Sequence, residues 1–254
     1  MLQINLKNKK VLVTGSSRGI GRAIAICMAK AGAKVAIHYH TSENAANKVY
    51  EEIDGHGILV KADLAQAMEV SSMFNEVIDQ FGVLDVLVNN AGVANACSTT
   101  TDDPEWVDNW MNTLDINLNA AALLCKKSLA HFIQNGGGRI INISSRAAFR
   151  GDTEDYLVAY AASKGGLVSL TKSIARSYGK RSIYAFVVAP GFVHTDMAND
   201  FIDIYGKDFL YNDLAVEQLT EPQDIAPMVA FLASGMADHA TGSTFDINGG
   251  SYLH

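Results

Sequence analysis

The chain has 254 residues, a formal net charge of −7 and 48% hydrophobic residues, which fits one large α/β domain or two small domains. The acidic balance argues against a nucleic-acid-binding protein, and three cysteines without C-x-x-C spacing argue against a disulfide scaffold or a zinc site, so no metal is predicted. No signal-peptide core and no run of about 18 apolar residues is present, so we expect a soluble, cytoplasmic protein.

Strand-like apolar runs alternate with helical patterns along the chain. In chain order, the pattern predicts strands at 10–15, 34–39, 57–63, 84–92, 138–145, 182–191 and within 242–250. Between them it predicts helices at 21–33, 42–54, 66–82, 156–179 and 221–234, and a helical region at 104–134. Gly32 and Ser42 are expected to cap helices, and Pro227 should lie in the first turns of the last helix.

The strand sequences indicate how these elements are arranged. Continuous Val, Ile and Leu runs are typical of strands that are buried on both faces, and alternation with helices predicts right-handed βαβ units. We therefore predict an α/β fold, a doubly wound, Rossmann-type parallel sheet flanked by helices, forming a single domain over residues 1–254. The long irregular segment 192–220 is predicted to be a substrate lid.

The first loop carries a glycine motif. TGSSRGIG at 14–21 follows the first strand and opens the first helix, with glycines at 15, 19 and 21. Such glycines let backbone N–H groups approach a pyrophosphate at a helix N-terminus, where the helix dipole favours an anion. A tight turn required only for packing is the alternative interpretation.

The end of the second predicted strand bears on the choice of dinucleotide. An acid there would bond the ribose 2′-hydroxyl, but IHYHTS at 37–42 contains none, and Tyr39 takes its place. Arg18 could pair with a 2′-phosphate, and His40 and Ser42 could add donors. NADP(H) is therefore favoured over NAD(H), while a solvated loop charge remains the alternative for Arg18.

Tyr160 and Lys164, in the motif YAASK, lie four residues apart on one helix face. A phenol is a poor base at neutral pH, but a nearby ammonium favours the phenolate and should lower the phenol pKa. Tyr160 is thus a candidate general acid for ketone reduction and a general base for the reverse reaction. An ordinary surface lysine is the alternative for Lys164 taken alone.

Four motifs together carry a family resemblance. TGSSRGIG, NNAG at 89–92, YAASK at 160–164 and PGFVHT at 190–195 occur in the order found in short-chain dehydrogenases/reductases. The chain is similar to that family over most of its length, and its pattern is closest to the 3-oxoacyl-[acyl-carrier-protein] reductases. The resemblance implies a homotetrameric oxidoreductase that acts on a small carbonyl substrate, possibly one bound to an acyl carrier protein.

The resemblance also assigns roles to residues. It implies catalytic roles for Asn117, Ser145, Tyr160 and Lys164, with Ser144 as the backup for Ser145 and Tyr156 as a pocket-wall or core aromatic residue. Ser145 would steady the carbonyl oxygen, and Asn117 would hold a water that links Lys164 to solvent. Cofactor contacts are expected from Gly15, Ser17, Arg18, Gly19, Ile20, Gly21, Tyr39, His40, Ser42, Asp63, Leu64, Asn90, Ala91, Gly92, Tyr160, Lys164, Pro190, Gly191, Val193 and Thr195.

The substrate is less constrained by the sequence. A 3-oxoacyl thioester leads by resemblance, and a polyol, sugar or other small-alcohol dehydrogenase is the alternative. A nucleotide-binding sensor without turnover is a third possibility. A basic group that could dock an acidic carrier, or simply form a solvated face, consists of Lys172, Arg176, Lys180 and Arg181. His194 and the acids Asp196, Asp200 and Asp203 would suit a polar substrate.

Overall fold

Seven parallel strands form one sheet in the computed structural model, which describes residues 4–152, 155–195 and 211–253. The strands are β1 Lys10–Val13, β2 Lys34–Tyr39, β3 Gly57–Lys61, β4 Val86–Asn89, β5 Gly138–Ile143, β6 Ile183–Pro190 and β7 Thr244–Ile247. Their order across the sheet is β3-β2-β1-β4-β5-β6-β7. The predicted doubly wound parallel sheet is therefore confirmed.

Helices cover both faces of this sheet. They are α1 Gly19–Lys30, α2 Glu43–Glu52, α3 Ala67–Phe81, α4 Asp103–Leu114, α5 Ala120–Gln134, α6 Ala147–Arg150, α7 Val158–Tyr178 and α8 Pro222–Ala233. One apolar cluster contains buried residues of α1, α2 and α8, and a second contains buried residues of α3, α5 and α7. Two cores separated by the sheet explain why the central strands are apolar at nearly every position.

The strand order reverses beside β1, which pairs with β2 on one side and with β4 on the other. The chain therefore leaves β1 and β4 in opposite directions, and a cleft opens at the carboxyl ends of the strands at such a switch point. The loops that follow β1, β4, β5 and β6 all reach this edge of the sheet. The quoted sequence motifs lie in these loops or, for YAASK, at the start of α7.

The element boundaries differ from the sequence prediction in a few places. The helical region predicted at 104–134 is two α-helices joined by a π-helical turn, Asp115–Asn119. Gly32 follows α1 with φ +99°, as expected for a helix end, whereas Ser42 precedes α2 without a side-chain capping bond. Pro227 lies inside α8, which starts at Pro222. Of the predicted lid at 192–220, residues 196–210, which include Asp196, Asp200 and Asp203, lie outside the described residues.

Among the residues that the structure describes, no helix is both long enough and apolar enough to cross a bilayer.

Candidate active site

The glycine loop connects β1 to α1 in a conformation that requires glycine. Gly15 and Gly19 have φ values of +62° and +53°, in the left-handed region that side chains disfavour. A Cβ atom at Gly21 would lie 2.3 Å from the carbonyl oxygen of Gly15. The turn is therefore tight enough to bring backbone N–H groups to the start of α1.

The NNAG segment after β4 packs directly on this loop. The backbone N–H groups of Asn90 and Ala91 donate to the Thr14 hydroxyl at 2.9 and 3.0 Å, and Asn90 Nδ2 donates to the Thr14 carbonyl at 2.8 Å. A Cβ atom at Gly15 would lie 3.0 Å from Ala91 Cα. The two motifs thus form one wall of the cleft, and Thr14, which the sequence analysis missed, joins them.

His38 on β2 is a second anchor of the loop that the sequence analysis missed. The N–H of Gly15 donates to His38 Nδ1 at 2.8 Å, and His38 Nε2 lies 3.1 Å from the carbonyl oxygen of Ala62. The ring is 2% exposed, and burial lowers its pKa to about 4. A neutral ring that accepts at Nδ1 and donates at Nε2 therefore fixes the loop. A histidine inside the apolar run KVAIHY was the available signal.

The predicted adenosine side lies around the ends of β1, β2 and β3. Arg18 and His40 are exposed there, and Ser42 is half-buried. Tyr39 is 9% exposed and belongs to the apolar cluster that contains α1 and α2. Its ring thus fills the position at which an acid would face the ribose.

Two further residues were assigned to this side, at the end of β3. Asp63 Oδ1 accepts the N–H of Ala65 at 2.9 Å, and Leu64 is buried in the second core. Both follow β3 directly, so the structure places them at the same edge of the sheet as the glycine loop. Ser17 and Ile20 lie in that loop and at the start of α1.

The start of α1 is suited to an anion. Its N-cap residue, Arg18, makes no side-chain capping bond, so its own side chain does not occupy the first-turn N–H groups. The glycines of the loop remove the Cβ atoms that would crowd this end. The residues present therefore fit the pyrophosphate of a dinucleotide, with α1 supplying the favourable dipole.

Asn117 is held inside the π-helical turn between α4 and α5. Its Oδ1 accepts the N–H of Val93 at 2.8 Å, while its Nδ2 donates to the Val93 carbonyl at 2.9 Å and to the Ser163 hydroxyl at 3.0 Å. A Cβ atom at Gly92 would lie 3.2 Å from Asn117 Oδ1 and 3.1 Å from Lys164 Nζ. NNAG, the π turn and α7 therefore meet at one point. Asn119 is exposed and bonds Asp115.

Lys164 points from α7 into this junction. Its Nζ donates to the carbonyl oxygen of Ile143 at 3.0 Å and lies 5.7 Å from the centroid of the Tyr160 ring. The side chain is buried, and burial lowers its pKa to about 8. Lys164 is therefore not the ordinary surface lysine that its sequence position alone would allow.

The two serines after β5 have different partners. Ser144 Oγ donates to the carbonyl oxygen of Lys164 at 2.9 Å, which ties α7 to the sheet. Ser145 instead hydrogen-bonds the Tyr160 hydroxyl and accepts the N–H of Ala147 at 3.1 Å. Of the two, Ser145 is thus the one beside the phenol.

The expected effect of Lys164 on the phenol needs correction. In the protein without cofactor, the pKa of Tyr160 is raised, because desolvation outweighs the hydrogen bond from Ser145. The lysine amine is engaged with the Ile143 carbonyl. The free enzyme therefore keeps Tyr160 protonated, which is the form needed to donate a proton.

The PGFVHT segment after β6 reaches across the cleft. The carbonyl oxygen of Pro190 accepts the N–H of Arg146 at 2.9 Å, and Gly191 N–H donates to Ile247 at 3.1 Å. Val193 bridges to Thr220, and a Cβ atom at Gly19 would lie 3.4 Å from Thr195 Cγ2. Thr195 therefore stands against the glycine loop.

Comparison with known proteins agrees with this arrangement. The family model described as Enoyl-(Acyl carrier protein) reductase matches residues 15–252. The 3-oxoacyl-[acyl-carrier-protein] reductase FabG of Staphylococcus epidermidis is 39% identical over 250 residues, covering 97% of this chain and 100% of the relative.

Solved structures also match this chain over nearly its whole length. A short chain dehydrogenase from Burkholderia cenocepacia in complex with NADP has a TM-score of 0.89 at 35% identity, covering 97% of this chain and 99% of that one. The angucycline C-6 ketoreductase LanV with bound NADP has a TM-score of 0.88 at 35% identity, covering 100% of this chain and 99% of that one.

Proposed function

Because the chain belongs to the short-chain dehydrogenase/reductase family and is an NADP-dependent oxidoreductase, we propose that it reduces the carbonyl group of a 3-oxoacyl thioester to a secondary alcohol. The observation that carries the proposal is the convergence of Ser145, Tyr160 and Lys164 beside the glycine loop and NNAG walls. The name of the Staphylococcus epidermidis relative supports the substrate class.

The proposed chemistry divides between the cofactor and the chain. NADPH, when bound, supplies the hydride. Tyr160 donates its proton to the carbonyl oxygen as that oxygen becomes an alkoxide, and the Ser145 hydroxyl steadies the same oxygen by a hydrogen bond. The pKa of Tyr160 is raised in the free protein, so the phenol holds the proton that reduction requires.

Lys164 and Asn117 would act at the opposite side of the phenol. The lysine amine, buried and with a pKa of about 8, would bond the nicotinamide ribose and bring its positive charge toward Tyr160 in the loaded enzyme. Asn117 is already committed to the Val93 backbone and to Ser163. Its role would be to fix the π turn and, with it, the path by which Lys164 exchanges protons with solvent.

We propose that NADPH is preferred to NADH through Arg18. Arg18 is exposed at the N-cap of α1, the end of β2 offers no acid, and a guanidinium bonds phosphate bidentately. Arg18→Ala should weaken NADPH binding about tenfold or more and leave NADH binding nearly unchanged. Fluorescence titration with both cofactors measures this, and Arg22→Ala, which removes an exposed pair with Glu52, is the matched control. Equal losses for both cofactors would refute the assignment.

A small polar alcohol or ketone is the second candidate substrate. Arg139, the basic residue nearest the start of β5, is held by Asp238 through two bonds of 2.9 and 2.7 Å, which leaves it poorly placed to dock a carrier. The exposed basic group at the end of α7 is then the candidate docking surface: Lys172, Arg176, Lys180 and Arg181. A charged cavity beside Tyr160 favours the polar alternative.

A steady-state screen distinguishes these substrates. The decrease of NADPH absorbance is followed with a 3-oxoacyl thioester, its carrier-protein conjugate, sugars and cyclic ketones. Preference for the carrier conjugate would support the first candidate, and preference for a polar ketone the second. Nucleotide binding without turnover on any of these substrates would contradict both.

A further inference from the structure

A polar cavity of about 220 Å³ has Arg146, the residue that follows Ser145, in its lining. It is lined by Arg146, Arg150, Gly151, Asp152, Phe192, Asn212 and Asp213. Four of these residues carry formal charges, which is unusual for a pocket that would receive only an acyl chain. None of them has a role in the chemistry described above.

Arg146 places a positive charge at the inner end of this cavity. It follows Ser145 directly, and its side chain is 11% exposed. Its guanidinium lies 4.3 Å from the centroid of the Phe192 ring, a cation–π contact that fixes its plane. Burial lowers the pKa of Arg146, but an arginine remains protonated under ordinary conditions.

Arg146 shares a carboxylate with Arg150. Asp213 Oδ2 accepts an N–H from each guanidinium, the one from Arg150 at 2.6 Å. Arg150 also donates to the Ser251 carbonyl at 3.4 Å. Each guanidinium has five N–H donors, so the pair has the capacity to donate to a ligand as well as to Asp213.

The cavity is close enough to the reacting groups to contact a substrate. The backbone N–H of Arg146 bonds Pro190 in the segment that crosses the cleft. The charges of Arg146 and Asp152 both act on the Tyr160 hydroxyl, the first lowering and the second raising its pKa. A ketone whose oxygen lies between Ser145 and Tyr160 would therefore lie next to the part of the cavity that Arg146 lines.

We propose that this cavity is a substrate subsite that binds a carboxylate carried by the ketone substrate. The inference rests on the second candidate function, the reduction of a small polar ketone, and narrows that substrate to ketones that carry a carboxylate. Paired guanidiniums match the geometry of a carboxylate in a bidentate manner, and burial of Arg146 strengthens such a bond.

The acidic residues of the cavity are compatible with this ligand. Asp213 accepts from both guanidiniums while the site is empty, and the charge of Asp152 also acts on Arg146. A substrate carboxylate would bond the same pair of guanidiniums. Asp152 is exposed, whereas the Arg146 side chain is 11% exposed, so the guanidinium is the more enclosed of these two charged groups. A cationic substrate group would meet Arg146 at the inner end and be repelled.

Matched substrates test the proposal. The set consists of keto acids in which none, one or two carbons separate the carbonyl from the carboxylate, each paired with its neutral methyl ester. The wild-type enzyme with NADPH should give a kcat/KM at least about tenfold higher for one acid than for its ester. Equal values for every pair, or preference for the esters, would overturn the inference while leaving carbonyl reduction intact.

Variants locate the effect. Arg146→Met should reduce kcat/KM for the preferred acid about tenfold or more, through KM, and change that for its ester less than about threefold. Arg150, whose side chain is 26% exposed, provides a second variant in case Arg146→Met does not fold. Arg150→Met should lower the ratio of kcat/KM for the acid to kcat/KM for its ester. NADPH binding reports the fold, and Arg22→Met, which removes an exposed ion pair with Glu52, is the control.

The remaining outcomes are also decisive. Equal losses for acid and ester in both arginine variants would make the pair structural and refute the subsite. If the wild-type enzyme reduces neutral ketones outside this set but none of these acids or esters, the subsite is refuted and the reductase function stands. If it reduces no ketone at all, both proposals fall.

Discussion

At the scale of single residues, burial sets the protonation of the groups that line the cleft. His38 is held neutral with a pKa of about 4, and the pKa of Lys164 falls to about 8, in each case because the charged form is desolvated. The pKa of Tyr160 is shifted in the opposite direction and is raised, since the charged form of a phenol is the deprotonated one. The free protein therefore presents a neutral loop anchor and a protonated phenol.

The glycine loop should loosen in acid through His38. Between its ordinary pKa of 6.5 and the native value of about 4, the unfolded state binds a proton that the native state does not, so stability falls as pH decreases. The expected loss is about 2 kcal/mol between about pH 7 and pH 5, measured by urea unfolding without cofactor. Protonation would also remove the acceptor for the N–H of Gly15.

Two variants check the assignment to His38. His38→Gln should lose this part of the pH dependence, whereas His239→Gln, at an exposed position, should retain it. Retention of the full acid-induced loss in His38→Gln would show that another group titrates.

At the residue scale, a motif fixes spacing along the chain, whereas contacts between residues that are distant in sequence leave no local pattern. The placement of Ser145 beside Tyr160 agrees with the expectation, because both follow from the end of β5 and the start of α7. The expected lowering of the Tyr160 pKa does not agree with the structure, because this pKa depends on desolvation and on the bond of Lys164 to Ile143. Residue spacing reveals neither of these. Arg146 was passed over because its neighbours Phe192 and Asp213 are distant in sequence.

At the scale of elements, the cleft depends on how α1 and α7 are fastened to the sheet. Asn142 on β5 accepts a bond from Asn89 and donates to Thr171 of α7, both at 2.8 Å. Ser144 adds a bond to the backbone of Lys164. These buried bonds fix α7 against the sheet and so define where Tyr160 and Lys164 stand.

The close approach of α1 to the NNAG segment predicts the effect of adding a methyl group. Gly21→Ala would place a Cβ atom 2.3 Å from the Gly15 carbonyl oxygen and 2.4 Å from Asn90 Nδ2. We expect a loss of stability of about 2 kcal/mol or more and a loss of NADPH binding, because backbone must shift. Thermal unfolding and fluorescence titration measure the two effects.

Gly165→Ala is the matched control, since its Cβ atom would meet only the Ala148 carbonyl oxygen at 3.7 Å. Alanine in the middle of α7 should leave stability equal or raise it by up to about 1 kcal/mol. Unchanged NADPH binding in Gly21→Ala would refute the role of this contact.

The order and type of the elements were predictable, but their internal irregularities were not. Apolar strand runs and glycine-bounded helices predicted the seven strands and their parallel arrangement. The π turn at Asp115–Asn119 carries no sequence signal, because it arises from the bonds of Asn117 to Val93 and Ser163. That turn directs the Asn117 side chain toward the site, so the position of this side chain is fixed by tertiary contacts.

At the scale of the whole molecule, exposed apolar side chains lie on α4 and at the start of α7. Val107 and Met111 are one helical turn apart on α4 and are 48% and 47% exposed, and Val158 at the start of α7 is 38% exposed. Such a patch is typical of a protein interface. We propose that α4, α5 and α7 pack against symmetry mates in a homotetramer.

A single charge should disrupt this assembly. Met111→Asp should convert a species of about four times 27.3 kDa into dimers or monomers, as measured by light scattering, because an unpaired carboxylate would be buried at the interface. Met68→Asp, at an 85% exposed position on α3, should leave the mass unchanged. A monomeric wild-type protein, or a tetrameric Met111→Asp variant, would refute the interface.

The central claim is that the Tyr160 hydroxyl delivers the proton to the substrate carbonyl. The most direct test measures NADPH oxidation and NADPH affinity in parallel for Tyr160→Phe, with Tyr178→Phe at the end of the same helix as the control. The predicted result is a loss of turnover of at least about a hundredfold with NADPH affinity and folding unchanged. Turnover near that of the wild type in Tyr160→Phe would contradict the account.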